Sequence, residues 1–423
     1  MRAGIDGPVT FRARHVVPMT GPPIEGGCVG LDHGRLVGVG RRCTAGRTVD
    51  FGDAIVLPGL VNAHTHLEFS GLERPLVADG GLPGWISHVV ALRRGRTAGT
   101  DDREHAIAAG IAESAAAGVT TIGEIATAVA RSAGPAAACR VRVFREALGL
   151  SDIASREVPR TVARDVARLQ SSGACVGVSP HAPYSVAASL GRSVLQEARR
   201  RGIPAAMHLA ESPAEAELID HGSGPFRDLL ESLGAWPDVA PQLLPAADWI
   251  SLLARGPRGL VVHGTFLDDP ALTRLARHRR RLAAVVCPRT TQRLAGRLPP
   301  LQRFRGAGVR VAVGTDSRAS NPDLSVLGEC RALVDGGLAG PEEALRMATR
   351  DGAWALGFER LAGVLAAGRP ADLVVLRPSR AWSDPHEAAL DPTTQVVATL
   401  RAGRLVHGTL DLATAGSSRS RSR

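Results

Sequence analysis

Seven residues of types that bind metals or move protons each stand at or just beyond the end of a short apolar run. They are His64, His66, His181, His208, Glu211, His263 and Asp316. His64 and His66 are two positions apart, which puts both on one face of a strand, where two neutral imidazoles can hold one ion together. His208 adds a third nitrogen and Asp316 an oxygen. Such a set, with one position left open for water, suits Zn²⁺ or Fe²⁺, one divalent metal per chain. A lone H-x-H pair is a weak signal. Its combination with His208, His263 and Asp316, each ending a separate run, is a strong one. Other patterns stop short: His386-Glu387 begins H-E-x-x-H, but Leu390 fills the second histidine position. His66-x-Glu68 is followed by no P-C-x-x-C, and no G-x-S-x-G is present.

The elements that must carry these residues can be read from the apolar runs. Eight are rich in β-branched residues: Ile55 to Ala63, Val119 to Ile125, Arg140 to Leu148, Cys175 to Ser179, Ala205 to Leu209, Leu260 to His263, Leu282 to Cys287 and Val309 to Gly314. Helix-like stretches lie between most of them, such as Arg103 to Ala117, Val158 to Gln170 and Leu190 to Arg201. Near-continuous apolar strands alternating with helices predict a parallel sheet, and a count of eight predicts an α/β chain built on a (β/α)₈ barrel. In such a barrel the functional side chains lie at the C-terminal strand ends, where the seven residues fall. The flanks read differently. Residues 1–57 and 361–411 are short strands broken by Gly and Pro, which predicts a composite β-sandwich domain built from both chain ends around a barrel of residues 58–360. Residues 412–423, rich in Ser and Arg, are expected to be a disordered tail.

Composition narrows the function classes. All 51 basic residues are Arg, and the chain contains no Lys. That excludes a P-loop lysine, a Schiff-base lysine and a carbamylated lysine bridging two metals. The net charge of +10 is spread along the chain apart from Arg279-Arg280-Arg281 and the tail Arg419, Arg421 and Arg423, so the excess reads as codon bias rather than a nucleic-acid surface. The six Cys form no C-x-x-C pair, which suits reduced thiols. No signal-like segment follows Met1, and no uncharged apolar run approaches 18 residues. The expectation is a cytoplasmic protein with a small-molecule substrate, without nucleic-acid or membrane partners. A homo-oligomer is compatible with all of this.

Five segments together resemble a known family: LPGLVNAHTHLE (Leu57 to Glu68), SPHAPYS (Ser179 to Ser185), HLAES (His208 to Ser212), VVHGT (Val261 to Thr265) and VGTDSRASN (Val313 to Asn321). They look like the amidohydrolase superfamily, in its branch of metal-dependent ring deaminases and chlorohydrolases. That branch includes cytosine, guanine, S-adenosylhomocysteine and aminofutalosine deaminases and triazine hydrolases. AAGRPADLVVL (Ala366 to Leu376) resembles the usual return strand into the composite β-domain, so the likeness covers nearly the whole chain.

The resemblance implies that His64, His66, His208 and Asp316 hold one divalent metal, Zn²⁺ foremost, with Glu211 as proton shuttle and His263 beside the ligands. A metal there lowers the pKa of its bound water toward 7 and supplies the attacking hydroxide. Asp316 takes the water proton, Glu211 carries a proton to a ring nitrogen, His263 stabilises the tetrahedral oxygen, and the amine leaves as ammonia. The implied activity is that of a hydrolase on carbon–nitrogen bonds other than peptide bonds. It would deaminate a heterocyclic amine, an adenine-containing nucleoside such as 6-aminodeoxyfutalosine foremost. A triazine-type chlorohydrolase or amidohydrolase, or a non-catalytic ligand-binding barrel, stands as the alternative.

Three residues are expected to bind substrate: His181 at a ring nitrogen, Glu68 at sugar hydroxyls, and Arg145, near the end of the third strand, at a carboxylate. Trp85 reads as a helix anchor or a cap on the pocket. After Cys287-Pro288-Arg289 relatives commonly carry Ser-His or Ser-Asn. This chain has Thr290-Thr291-Gln292, on a loop expected to face the substrate.

Overall fold

The computed structural model describes residues 7–95, 100–130 and 137–410; the expected tail, residues 412–423, lies outside them. Eight strands form one parallel sheet: β1 (Leu60–Thr65), β2 (Val119–Ala126), β3 (Arg140–Ala147), β4 (Cys175–Pro180), β5 (Ala205–Leu209), β6 (Gly259–His263), β7 (Leu282–Val286) and β8 (Arg310–Val313). They follow one another in chain order, and a parallel bridge between Thr65 and Asp316 joins the last strand region to the first. That is the predicted (β/α)₈ barrel. Alternate residues fill its interior, among them Val61, Phe144, Ala206, Leu260, Val262, Val285 and Ala312. The other set, including Val143, Val178, Met207, Val261, Ala284 and Val313, packs outward among buried apolar side chains of the helices.

The helices start where capping groups are available. Helix Asp152–Ser171 is capped by Ser151, whose hydroxyl accepts from the Ala154 amide, and so starts six residues before the expected Val158. Helix Ala188–Arg201 buries Leu190, Val194, Leu195 and Ala198 and stops at Gly202, whose φ of +65° is left-handed.

The chain ends form two further sheets. One has four strands, all N-terminal (Val9–Arg12, Cys28–Asp32, Arg35–Gly40 and Arg47–Asp50); the other has six and interleaves both ends. In the six-stranded sheet, strand Leu373–Arg377 runs antiparallel to Ile55–Pro58. Phe11, Val29 and Leu36 of the first sheet share a core with Val56, Leu373 and Leu400 of the second.

Two expectations need correcting here. The run Ile55 to Ala63 is two strands, one in the terminal sheet and one in the barrel, with Gly59 between them. A Cβ at Gly59 would lie 2.3 Å from the Thr120 side chain, so only glycine lets the chain cross there. The six cysteines are also not all free: Cys28 and Cys43 form a disulfide. Cys28 pairs with Gly40 across a hairpin, which carries Cys43 back to it; no C-x-x-C spacing announces that geometry. No described helix is long and apolar enough to cross a membrane.

Candidate active site

The site is built at the C-terminal mouth of the barrel. The register of β1 on β2 shifts between Asn62 and Thr65, and His64 and His66 follow at the strand end. The chain after β8 comes in against them: a Cβ on Gly314 would lie 2.8 Å from the backbone oxygen of His64. The amides of Thr315 and Asp316 both donate to that oxygen at 3.1 Å.

Three other residues reach the mouth through unusual backbone. Ala210 after β5, His263 at the end of β6 and Asp316 after β8 have φ of +51°, +66° and +54°. For residues with a Cβ this costs on the order of 1–3 kcal/mol each. Strand alternation alone would send His263 outward beside Val261; the left-handed turn brings it into the mouth. Glu211 follows Ala210, and both amides donate to the buried Glu215 carboxylate, at 2.8 and 3.1 Å. Ser212 caps helix Pro213–His221 by accepting from the Glu215 amide, so this short segment is fixed at both ends.

The donor atoms converge. One ligand atom each from His64, His66 and Asp316 lie within 4.8 Å of one another, and so do those from His64, His208 and His263. Asp316 Oδ1 is 3.6 Å from Nε2 of both His64 and His66. His208 Nδ1 donates to the His181 carbonyl at 3.0 Å, which leaves its Nε2 lone pair facing inward. That nitrogen sits 3.3 Å from His66 Nε2. Both nitrogens of His64 and Nδ1 of His66 are buried without a hydrogen-bond partner among the described residues. Burial lowers the pKa of His64 to about 3 and depresses His66 and His208 too, so all three are neutral at neutral pH. Unprotonated imidazoles packed lone pair to lone pair beside a carboxylate fit a divalent cation and little else.

Around this cluster stand the proton-transfer groups. Glu211 Oε1 is 3.3 Å from His263 Nε2. Burial, then the charges of Asp316 and Glu215, raise the Glu211 pKa well above the usual carboxylate range. Ser320 donates to Asp316 Oδ2 at 2.7 Å, and Thr290 Oγ1 is 2.9 Å from Ser320 Oγ. Thr290-Thr291-Gln292 lie on helix Pro288–Ala295 and do not line the cavity, contrary to the expectation that they face substrate. Thr290 reaches the site only through Ser320.

A cavity of about 490 Å³ opens beside the cluster, lined by His66, His181, His208, Glu211, His263 and Asp316 at one end. The rest is mainly apolar, with Phe69, Leu150, Phe226, Leu230 and Trp236 among its walls and, among the described residues, Arg93 as the one charged side chain away from the cluster. Trp85 also lines it, its indole N–H donating to the Ala319 carbonyl at 3.0 Å, so it is both anchor and wall. His181 is where the sequence suggested.

Arg145 is not. Strand alternation points Phe144 and Glu146 inward and turns Arg145 out to Asp165, 2.9 Å away. Glu68 is buried below the cavity surface, where Arg93 donates to its Oε1 at 2.6 Å and Thr127 to its Oε2 at 3.3 Å. Arg93 and Glu146 escaped the sequence reading. Arg93 lies in a helix with no flanking motif, but the inward alternation from Phe144 could have found Glu146.

The amidohydrolase family model matches residues 55–406. The 5-methylthioadenosine/S-adenosylhomocysteine deaminase of Moorella thermoacetica is 29% identical, over 93% of this chain and 90% of that protein. The crystal structure of Helicobacter pylori aminofutalosine deaminase with methylthio-coformycin superposes with a TM-score of 0.83 at 25% identity, covering 94% of this chain and 99% of the other. Atrazine chlorohydrolase from Arthrobacter aurescens, in its zinc complex, has a TM-score of 0.77 at 22% identity, covering 96% and 97% of the two chains; it speaks for the fold alone. With the family model spanning barrel and return strand alike, the chain belongs to the amidohydrolase family.

Proposed function

We propose that the protein is a metal-dependent aminohydrolase that deaminates a purine nucleoside-type substrate. The observation that carries the reading is two overlapping donor clusters, His64 with His66 and Asp316 and His64 with His208 and His263, with Glu211 3.3 Å from His263 beside them. Zn²⁺ is the ion we assign to the four ligands His64, His66, His208 and Asp316, and barrel residues 58–360 are the catalytic unit beside the sheets of residues 1–57 and 361–411. A cytoplasmic location belongs to the same proposal. When bound, the ion supplies Lewis acidity and lowers the pKa of a coordinated water. Asp316 accepts the proton of the attacking water. Glu211, kept protonated by its burial, gives its proton to a ring nitrogen and makes the adjacent amino-bearing carbon electrophilic. His263 donates to the oxygen as charge develops on it. The nitrogen leaves as ammonia with the proton that Asp316 took from the water, and the remaining hydroxyl proton passes to Glu211 as the carbonyl forms.

The relatives named for 5-methylthioadenosine and aminofutalosine support an adenine nucleoside with an extended 5′ substituent. The apolar cavity wall suits such an extension, with 6-aminodeoxyfutalosine our first choice. The test is ammonia release by Zn²⁺-loaded protein from adenosine, 5-methylthioadenosine, S-adenosylhomocysteine and 6-aminodeoxyfutalosine, beside chloride release from a chlorotriazine. Ammonia from at least one nucleoside, abolished in His208→Ala, is expected. Chloride release alone would favour the triazine reading, and a protein holding no stoichiometric metal would favour a binding barrel.

A further inference from the structure

Glu146 is a buried carboxyl group with no task in the reaction above. It stands at the C-terminal end of β3, 1% exposed, and neither of its oxygens has a hydrogen-bond partner among the described residues. A buried carboxyl left unbonded costs several kcal/mol in general, so its retention calls for a partner. The nearest imidazole is that of His181, whose Nε2 is 4.0 Å from Glu146 Oε1. Nearby charges are balanced without it: Arg93 is bound to Glu68 and Arg145 to Asp165.

His181 is tightly placed in every other respect. Its amide donates to the Ala147 carbonyl at 3.0 Å, its carbonyl accepts from His208 Nδ1 at 3.0 Å, and its Nδ1 is 2.6 Å from Ser185 Oγ. With Nδ1 tied back to Ser185, Nε2 is the nitrogen shared between Glu146 and the cavity that His181 lines. A movement of the ring by roughly 1 Å brings Nε2 within hydrogen-bond distance of the carboxyl.

We infer that Glu146 is a positioning residue for His181: it keeps the hydrogen on Nε2, where the carboxyl and a cavity ligand share it in a three-centre hydrogen bond, so the imidazole offers the cavity a donor. Ser185 Oγ–H, whose other acceptor is the Ala182 carbonyl at 3.2 Å, then turns to donate to Nδ1. A donor at that point selects a heterocycle with an unprotonated ring nitrogen there. The opposite tautomer would present an acceptor and select a ring N–H. The selectivity half of this inference rests on the deaminase reading; the coupling of Glu146 to His181 does not.

The experiment therefore has two arms, both on the full-length, Zn²⁺-loaded protein. In the first, ring-¹⁵N-histidine spectra are recorded for wild type, Glu146→Gln and Glu146→Asp, with His181→Gln used to assign the resonance. The expected result is a change in the His181 Nδ1 and Nε2 shifts in Glu146→Gln, larger than at any other histidine and partly restored in Glu146→Asp. An unchanged His181 in Glu146→Gln overturns the inference, and Glu146→Ala, read in the same way, takes its place if Glu146→Gln does not fold. In the second arm, binding of adenosine and its single-nitrogen deaza analogues is measured. Wild type should lose about tenfold in affinity for one analogue, and Glu146→Gln should lose that discrimination. Discrimination retained in Glu146→Gln overturns the selectivity role. Failure of wild type to bind any purine nucleoside overturns that role together with the deaminase reading and leaves the first arm to decide the coupling.

Discussion

The Ser320 hydroxyl donates to Asp316 Oδ2 at 2.7 Å, leaving Oδ1 to face Nε2 of His64 and His66 at 3.6 Å each. Asp316 is thus oriented from behind by a buried Ser320, itself 2.9 Å from Thr290 Oγ1. Outer hydrogen bonds of this kind tune metal sites. Ser320→Ala should weaken metal affinity by about 10–100-fold in a chelator competition while leaving the fold intact. Unchanged affinity would mean that Asp316 is held by its backbone alone.

Glu211→Gln should keep the metal and slow turnover by roughly 10²–10⁴-fold, the scale of a lost general acid–base group. Its carboxyl lies beside His263, and its backbone is fixed by Glu215, so the amide substitution preserves placement and removes the proton. Metal content and single-turnover rate, measured on the same sample, check this. Lost metal with normal turnover in the remaining holoenzyme would assign Glu211 to ligation instead.

Much of this site was legible because metal ligands and strand ends both leave marks in sequence. His64, His66 and His208 each end an apolar run, and the eight runs predict the barrel. Two kinds of feature were not legible. The first is backbone: the left-handed φ of His263 redirects its side chain against strand alternation, and the residue type does not announce it. The second is partnership at long sequence separation. Arg93 with Glu68, Ser320 with Thr290, and Cys28 with Cys43 meet only once the chain is folded. Arg145 shows the converse error, because nearness to a strand end was given more weight than the face on which the residue sits.

Glu215 gives the protein a pH-dependent stability with a definite sign. Burial lifts its pKa to about 7, against an ordinary value of 4.5. Between those values the folded chain keeps a proton that the unfolded chain has lost, so stability falls as pH rises from about 4.5 to about 7 and levels off above. The slope from one such group is at most about 1.4 kcal/mol per pH unit. Glu146, also raised to about 7 by burial, acts in the same direction. Urea denaturation of wild type and Glu215→Gln across this range should show the difference between them shrinking toward high pH as wild type loses its advantage. A wild type whose stability relative to Glu215→Gln rises through that window would reverse the assignment.

Arg145 and Arg93 make opposite predictions. Arg145 turns away from the cavity, donating to Asp165 at 2.9 Å and to the Glu146 carbonyl at 2.5 Å. Arg145→Ala should therefore act on stability, by about 1–3 kcal/mol for hydrogen bonds of a charged group, and lower the melting temperature. Its KM should stay within about twofold for acidic and neutral nucleosides alike, since a lost charged contact to substrate would cost more than that. Arg93 lines the cavity and is 32% exposed in its side chain, with Glu68 holding one edge of the guanidinium. Arg93→Gln keeps a donor for Glu68 and removes the charge that an acidic 5′ extension would meet. It should raise KM for 6-aminodeoxyfutalosine by about tenfold and leave 5-methylthioadenosine nearly unaffected. Should Arg145→Ala show that selective rise instead, the third strand would have to turn its arginine inward when substrate binds.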